Sequence, residues 1–205
     1  MLFVIMSRDP GIICFRHCCS KTIFCKSVPE ICPICRSCIA NYNVEPFLIP
    51  YPYTNAVYQP ASIIVRPSQG NFLNEYSILD DLHIGITNSK GMTFEYDKQG
   101  VIINDRSKWT DCIALKITPT SWDNHWDETL QELLKDIKWK SDNYDKATMN
   151  CFNFVIEFIN NLKYMNAMFT SKENICDKLL LSKIQEAVKY NSIFKNLKNN
   201  DYFIT

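Results

Sequence analysis

The pattern of apolar and polar positions changes along the chain, from short β-type runs in the middle to helical periodicity in the second half. Short apolar or alternating runs predict five strands, at residues 61–65, 82–87, 92–97, 100–103 and 112–117. Turn-forming sequences at 88–91 and 98–100 separate three of these runs. Residues 82–103 are therefore predicted to form an antiparallel β-meander.

Apolar side chains in the second half recur every three or four residues, which is typical of helices with one buried face. This period predicts a helix over 126–137 and a second helix that begins near Cys151 and carries an apolar stripe from Phe154 to Leu162. A third helix is predicted over 171–190, with a break before 193–197, and residues 201–205 are predicted to return as a short strand. Strands followed by helices predict an α+β domain.

Prolines mark the boundary between this domain and the first part of the chain. Pro46, Pro50 and Pro52 fall within seven positions and keep the segment extended, because proline lacks an amide proton and restricts the residue before it. The predicted domain organisation follows from this boundary. It comprises a cysteine-rich module at 1–45, a proline-rich linker at 46–60 and the α+β domain at 61–205.

The composition excludes several classes of protein. Hydrophobic residues make up 46% of the chain, which favours a folded protein over a disordered one. The 22 basic residues balance the 22 acidic ones, so no overall charge attracts nucleic acid or an anionic membrane. No run approaches the roughly 18 apolar residues of a membrane span, and the apolar stretch at 1–6 is too short for a signal-peptide core. We therefore expect an intracellular protein, cytoplasmic or nuclear, without a membrane span.

Seven of the ten cysteines lie between Cys14 and Cys38, which indicates a metal site. In a reducing compartment such clustering favours a metal over disulfides. The alternatives are buried free thiols or, in a secreted protein, disulfides. A module of this size cannot bury an adequate core, so a structural zinc ion would supply much of its folding free energy.

Zinc requires four sulfur or nitrogen ligands in a tetrahedron, and the spacing of the cysteines ranks the candidates. Cys32 and Cys35 come first, because a Cys-x-x-Cys turn supplies two ligands from one turn. The preferred set is Cys18, Cys25, Cys32 and Cys35, with His17 and Cys14 as substitutes for Cys18.

The charge of this module argues against nucleic-acid binding. Residues 1–45 carry five basic and three acidic side chains, an excess of two positive charges. Four thiolates around one Zn²⁺ would cancel that excess. The positive charge expected of a phosphate-binding surface is then missing, so we expect no nucleic-acid partner.

A second candidate site combines a histidine on a strand with a cysteine at a helix start. His83 lies on the strand predicted at 82–87, on the opposite face from its two neighbours. Cys151 follows Asn150 at the start of the second helix, where unpaired amides and the positive helix end favour a thiolate. Each residue alone is more often part of a core, because free cysteine and strand histidine are commonly buried. Their order and positions together indicate a nucleophile and its base.

The His83-Ile84-Gly85 strand and the later Asn-Cys-Phe-Asn-Phe sequence at 150–154 resemble the permuted papain-fold peptidases, the deSUMOylating isopeptidase type included. In those enzymes the histidine strand precedes the cysteine helix. The resemblance implies a small zinc knuckle or ribbon followed by a permuted papain-like domain, in which His83 accepts the proton of Cys151. The sequence departs from the pattern at Phe152-Asn153, where those peptidases often carry Asn-His.

Two further groups complete the predicted catalytic machinery. The candidates for a third residue that orients the histidine lie on the next strand, at Thr93, Glu95 and Tyr96. The backbone amide of Cys151 is predicted to be one oxyanion donor. His125, Cys112 and Cys176 are assigned no functional role.

A longer series of motifs resembles the makorin-2 opposite-strand protein family, which has no established activity. The motifs are His17-Cys18 with residues 23–25, then residues 27–35, 52–55, 66–73 and 81–88, then Trp126-Asp127, and Asn150-Cys151 with residues 158–160. They keep one order over about residues 15–205, which supports the division into a cysteine-rich part and a larger domain.

The sequence supports two hypotheses about function. In the first, a papain-like thiol hydrolase uses the Cys151 thiolate to attack an amide, isopeptide or ester carbonyl of a modified protein. In the second, a catalytically silent adaptor keeps the fold and the structural zinc site and binds a protein partner through the zinc module or the linker at 46–60.

Overall fold

The computed structural model describes residues 9–41, 44–105 and 107–205, and it divides the chain into two compact units. The smaller unit extends to Pro52 and also includes Glu186–Thr205, and the larger unit is Tyr53–Gln185. The sequence-based division instead placed residues 186–205 with the larger domain. The difference arises because the last strand of the chain pairs with a strand near its beginning.

The described residues form two antiparallel sheets and a set of helices, so the predicted α+β class is confirmed. The strands are β1 (Ile13–Phe15), β2 (Ile23–Cys25), β3 (Phe47–Leu48), β4 (Ser62–Pro67), β5 (Leu82–Thr87), β6 (Thr93–Asp97), β7 (Gly100–Ile103), β8 (Ile113–Leu115) and β9 (Tyr202–Ile204). The helices are α1 (Asp123–Lys135), α2 (Cys151–Leu162), α3 (Lys172–Ile175) and α4 (Leu181–Asn196). Among the described residues, none of these helices combines the length and the apolarity needed to cross a membrane.

The larger unit is built on a five-stranded sheet in the order β7-β6-β5-β4-β8. Strands β5, β6 and β7 follow one another in the chain and pair as neighbours, which confirms the predicted meander. Nearly every residue of β4 and β5 is buried, so both faces of these central strands are covered. The centre of the sheet therefore holds its side chains away from water.

Helices α1 and α2 attach to this sheet through aromatic side chains. Trp126 of α1 donates from its indole nitrogen to the carbonyl of Thr87 at 2.8 Å, and its ring lies 4.7 Å from that of Phe158 of α2. Phe154 of α2 packs against Tyr96 of β6, with 6.2 Å between ring centroids. The helical period found in the sequence thus corresponds to the buried faces of α1 and α2.

The third helical region differs from the prediction in two respects. A π-helical segment, Cys176–Leu180, joins α3 to α4, and α4 continues to Asn196 without the predicted break before residue 193. Ser171 caps the start of α3, because its hydroxyl accepts from the backbone N–H of Asn174 at 3.2 Å.

The smaller unit contains the four-stranded sheet β3-β1-β2-β9. Strand β2 lies between β1 and β9, with Ile23 opposite Ile204 in the β9 pairing. Its core consists of Phe15, Ile23, Cys25, Cys32 and Ile39. The predicted C-terminal strand therefore exists, and its partner is the cysteine-rich part of the chain.

Candidate functional site

Strands β4, β5 and β6 bring three charged or titratable side chains together in the larger unit. Arg66 of β4 lies directly opposite His83 of β5, and Glu95 of β6 lies opposite Gly85, two residues further along β5. The Oε2 atom of Glu95 is 2.7 Å from Nε2 of His83 and 3.2 Å from Nη2 of Arg66. The antiparallel register places these groups on one face of the sheet.

Gly85 allows a tryptophan to pack behind this group. A Cβ atom at Gly85 would lie 2.8 Å from the carbonyl oxygen of Phe94 and 3.1 Å from the ring of Trp109. The Trp109 ring lies 5.9 Å from the His83 ring, and the Arg66 guanidinium lies 5.0 Å from the Trp109 centroid. The indole therefore restricts both side chains, and a larger residue at position 85 would displace it.

The start of α2 supplies the cysteine. Asn150 caps the helix, because its Oδ1 accepts from the Phe152 backbone N–H at 2.9 Å and its own N–H donates to Oδ1 of Asn153 at 3.0 Å. This reciprocal pair fixes Cys151 as the first helical residue, where the backbone N–H has no acceptor within the helix. Asn153, where the sequence departs from the peptidase pattern, thus has a structural role in the cap.

The structure brings the two residues of the predicted dyad close together, since the Cys151 side chain lies near enough to the His83 imidazole to raise its pKa. Of the three candidates for an orienting residue, Glu95 contacts His83. Tyr96 instead donates its hydroxyl to the carbonyl of Lys140 at 3.0 Å, and Thr93 is buried at the start of β6. The result is a linked series of thiol, imidazole and carboxylate.

The electrostatics of the group favour a charged imidazole. Burial would lower the pKa of His83, but hydrogen bonds to Cys151 and Glu95 raise it to about 9, although the nearby Arg66 charge opposes the shift. Burial would raise the pKa of Glu95, but its hydrogen bond to His83 and the charges of His83 and Arg66 hold that pKa below its usual value. Glu95 is therefore a carboxylate beside an imidazolium at neutral pH.

A polar cleft opens at His83. A cavity of about 720 Å³ is lined by Arg66, Ser68, Gln69, Gly70, Glu75, Asp80, Asp81, His83, Asp97, Lys98, Tyr144 and Lys146. A second cavity of about 460 Å³ shares Arg66, Asp97 and residues 68–70 with the first, so the two are adjacent compartments. His83 lines the larger compartment, whereas Cys151 is 5% exposed and does not line it.

A separate group of potential metal ligands lies in the smaller unit. The ligand atoms of His17, Cys18, Cys32 and Cys35 all lie within 4.8 Å of one another. Nδ1 of His17 is 3.4 Å from Sγ of Cys35, and the backbone N–H of Ile34 donates to Sγ of Cys32 at 3.4 Å. This group has the composition and the spacing to hold a metal ion.

The structure does not bring Cys25 of the predicted ligand set into this group, and His17 stands in its place. Cys25 lies on β2, is fully buried among apolar residues, and has a pKa raised by that burial. Cys14, the other substitute, is also buried on a strand. The alternation in Ile23-Phe24-Cys25 is the sequence signal for this, since it places Ile23 and Cys25 on one buried face of a strand.

The three residues to which the sequence assigned no role lie outside both the site around His83 and the group of potential metal ligands. Cys112 is fully buried beside Thr54, and burial raises its pKa to about 12. His125 packs edge-on against Trp122 in the exposed first turn of α1, with 5.3 Å between ring centroids. Cys176 is partly buried in the π-helical segment.

Comparison with known proteins gives two family matches and one relative. Residues 46–197 match the family described as DUF4796 C-terminal, and residues 10–39 match DUF4796 N-terminal. A human protein named MKRN2 opposite strand protein is 29% identical over 201 residues, which is 95% of this chain and 89% of that protein. These matches confirm the resemblance to the makorin-2 opposite-strand family. No solved structure matches the chain.

Proposed function

The chain belongs to the DUF4796 family, and from the geometry of its larger unit we propose that it is a thiol hydrolase with a permuted papain-like arrangement. Cys151 is the nucleophile, His83 is the general base, and Glu95 orients His83. The observation that supports this proposal is that His83 contacts the buried Glu95 carboxylate at 2.7 Å while Cys151 lies near enough to the same imidazole to raise its pKa. A nucleophile, a base and a group that orients the base are the parts required for acyl transfer.

The proposed reaction has two stages. The proton of Cys151 lies on His83, so that an imidazolium pairs with a thiolate, and this thiolate attacks the carbonyl carbon of an amide, isopeptide or ester while the carbonyl electrons move to oxygen. The Cys151 backbone N–H donates to that oxyanion. The tetrahedral intermediate collapses, the leaving group takes the proton from His83, and an acyl-enzyme remains. Water then loses a proton to His83, attacks the thioester, and releases the acid as Cys151 regains its proton.

Glu95 suits the role of orienting residue because it remains charged in a buried position. It is 1% exposed, and both Arg66 and His83 contact the same oxygen atom. A carboxylate held in this way fixes the imidazole ring and stabilises the imidazolium that forms during each stage. Arg66 offsets the cost of burying the negative charge, since an unpaired buried carboxylate would neutralise.

The lining of the cleft favours a polypeptide over a lipid as substrate. The larger compartment is lined mostly by charged and polar side chains, whereas an acyl chain would require an apolar cavity. Two adjacent compartments that meet at Arg66, Asp97 and residues 68–70 suit an extended chain passing across the site. We therefore propose a protein or a modified protein as the substrate.

The adaptor is the second candidate function, and the burial of Cys151 is the observation that favours it. At 5% exposure the thiol cannot meet a substrate carbonyl without local opening of its surroundings. Tyr144 lines the larger compartment and lies near Cys151, since burial and then the charge of Cys151 raise the pKa of its hydroxyl. In the adaptor, Cys151 would stay buried and the cleft would bind a protein partner without chemistry.

The metal-binding group of the smaller unit enters this proposal as a structural zinc site without a role in the chemistry. Thiolate and imidazole ligands suit zinc, and a small unit gains folding free energy from such a site. All ten cysteines are free, which is consistent with the reducing compartment that we propose for this protein.

Site-resolved alkylation tests the hydrolase against the adaptor. The full-length chain is treated with iodoacetamide at neutral pH, and modification of each cysteine is followed by mass spectrometry. We expect Cys151 to react at least about tenfold faster than the partly buried Cys176, and to slow by about the same factor in His83→Ala. Cys176 is the internal control, because its alkylation rate should not change in His83→Ala. Equal rates at Cys151 in the two proteins would exclude His83 as its base and leave the adaptor.

A further inference from the structure

We infer that the smaller unit binds one zinc ion through Nδ1 of His17 and the sulfur atoms of Cys18, Cys32 and Cys35, and that Cys25 is not a ligand. The inference rests on the structural zinc proposed above and is independent of the thiol chemistry in the larger unit. The sequence predicted a site of four thiolates, whereas the inferred site has three thiolates and a neutral imidazole.

The distances between the ligand atoms fit a tetrahedral zinc ion. Zinc bonds of about 2.3 Å to sulfur and about 2.0–2.1 Å to nitrogen place neighbouring ligand atoms about 3.5–3.8 Å apart. The separation of 3.4 Å between His17 Nδ1 and Cys35 Sγ is close to that range. The other pairs lie within 4.8 Å, so closing the tetrahedron requires movements of about 1 Å or less.

The turn from Cys32 to Ser37 is already shaped to hold a metal. Backbone N–H groups two residues beyond each cysteine donate to its sulfur: Ile34 donates to Cys32, and Ser37 donates to Cys35. Such amide hydrogen bonds stabilise thiolate ligands and fix their direction. Arg36 completes the turn with a left-handed φ of 65°, and its N–H donates to the carbonyl of Cys32 at 3.0 Å. These features do not involve Cys25.

The position of Cys25 prevents it from completing this set. It lies on β2 opposite Ile13 of β1 and Tyr202 of β9, so its backbone is held on both sides. Its side chain is fully buried against Phe15 and Ile23 in the core of the unit. Moving its sulfur into the metal group would require the loss of this packing and of strand pairing on both sides. His17, in the loop between β1 and β2, requires no such rearrangement.

This ligand set changes the charge of the site. Three thiolates and one Zn²⁺ carry a net charge of about −1, compared with about −2 for four thiolates. The excess of two positive charges in residues 1–45 is then reduced rather than cancelled. The remaining positive charge is too small to form the basic surface of a phosphate-binding protein. The assignment therefore does not favour nucleic acid as a partner.

Metal analysis of the full-length chain tests the ligand set. We expect one zinc per chain in the unmodified protein, and the same amount in Cys25→Ala and in Cys19→Ser, the latter being an exposed neighbour of Cys18 that serves as the matched control. In competition with a chromophoric chelator, we expect His17→Ala and Cys35→Ser to lose at least about tenfold in zinc affinity. Loss of zinc in Cys25→Ala together with its retention in His17→Ala would overturn the assignment.

A gain-of-ligand variant keeps the test decisive if the deletion variants fail to fold. Cobalt replaces zinc in tetrahedral sites, and its charge-transfer absorption reports the number of bound thiolates. In His17→Cys we expect the metal to be retained and the thiolate-to-cobalt absorption to rise by about one third, as three sulfur ligands become four. An unchanged absorption would exclude His17 as a ligand. Failure of the unmodified protein to bind either metal would refute the zinc site, whereas the alkylation of Cys151 tests the hydrolase separately.

Discussion

Nε2 of His83 lies 2.7 Å from Oε2 of Glu95, a carboxylate that is 1% exposed. The two residues belong to neighbouring strands and are offset by two positions in register, with Gly85 directly opposite Glu95. Because Gly85 has no side chain, the carboxylate reaches along the sheet to the imidazole while Trp109 covers the glycine. This contact raises the pKa of His83, so the contact can be tested by titrating the imidazole.

Replacing Glu95 tests its role as the orienting residue. In Glu95→Gln we expect the pKa of His83 to fall, because the hydrogen bond to a negatively charged acceptor is lost while burial remains. The titration of the His83 ring is measured by NMR. We also expect the alkylation rate of Cys151 to fall by about tenfold or more, since the imidazolium is less stable. An unchanged titration curve would remove Glu95 from the mechanism, and Glu75→Gln, at the rim of the cleft, is the matched control.

The stability of the larger unit should depend on pH through His83. Its pKa of about 9 in the folded protein exceeds the ordinary value of 6.5, so its contribution is complete below about pH 6.5 and is lost as the pH rises through 9. We expect the free energy of unfolding to fall by about 1–3 kcal/mol between pH 6.5 and 9. Urea unfolding followed by tryptophan fluorescence measures this, because all four tryptophans lie in Tyr53–Gln185. His83→Gln should flatten this dependence, and a slope that persists in the variant would assign it to another group.

Substitution of Gly85 should disturb the site through packing. In Gly85→Ala the added Cβ meets the Phe94 carbonyl at 2.8 Å and the Trp109 ring at 3.1 Å, so backbone or indole must move. We expect a loss of about 1–3 kcal/mol in the free energy of unfolding, with a change in tryptophan fluorescence of the folded state. Ile103→Ala, at an exposed position of the edge strand, should change stability by only about 0.5 kcal/mol. Equal effects of the two substitutions would mean that Trp109 does not depend on the glycine.

The capping pair of Asn150 and Asn153 should support the position of Cys151. Asn150→Ala removes the acceptor for the Phe152 N–H, and we expect it to cost about 1–2 kcal/mol and to slow alkylation of Cys151. Asn153→Ala removes the reciprocal acceptor and should cost about 0.5–1 kcal/mol. Chemical denaturation and mass spectrometry measure the two effects. Asn199→Ala, in an exposed loop, should change neither quantity.

Removal of the metal should loosen the smaller unit. With a strong chelator present, we expect the amides of β1, β2 and β9 to exchange hydrogen faster, because the proposed ligands lie in the loop between β1 and β2 and in the turn at 32–35. Strand β9 is included because Ile23 of β2 pairs with Ile204. Hydrogen exchange with mass spectrometry measures this, with β5 as the internal reference. Exchange that does not respond to the chelator would contradict a structural role for the metal.

Several elements were predictable because their signals are local. Strands β5 and β7 have the bounds that their patterns predict, helix α2 begins where it was predicted, and turn sequences at 88–91 and 98–100 separate the meander strands as expected. The start of α2 was predicted near Cys151 from the apolar stripe that follows, and in the structure the Asn150 side chain caps the helix there. His83 and Cys151 could therefore be placed on a strand and at a helix start from the sequence alone.

The tertiary structure decided which side chains meet, because register and strand pairing depend on distant parts of the chain. The sequence offered Thr93, Glu95 and Tyr96 without a preference, and the pairing of β5 with β6 selects Glu95. Cys25 looked like a metal ligand from its spacing, yet the pairing of β2 with both β1 and β9 holds it in a core, and His17 takes its place in the cluster. Spacing along a chain reports which residues can lie close together, whereas burial in a sheet formed by both ends of the chain determines where each side chain points.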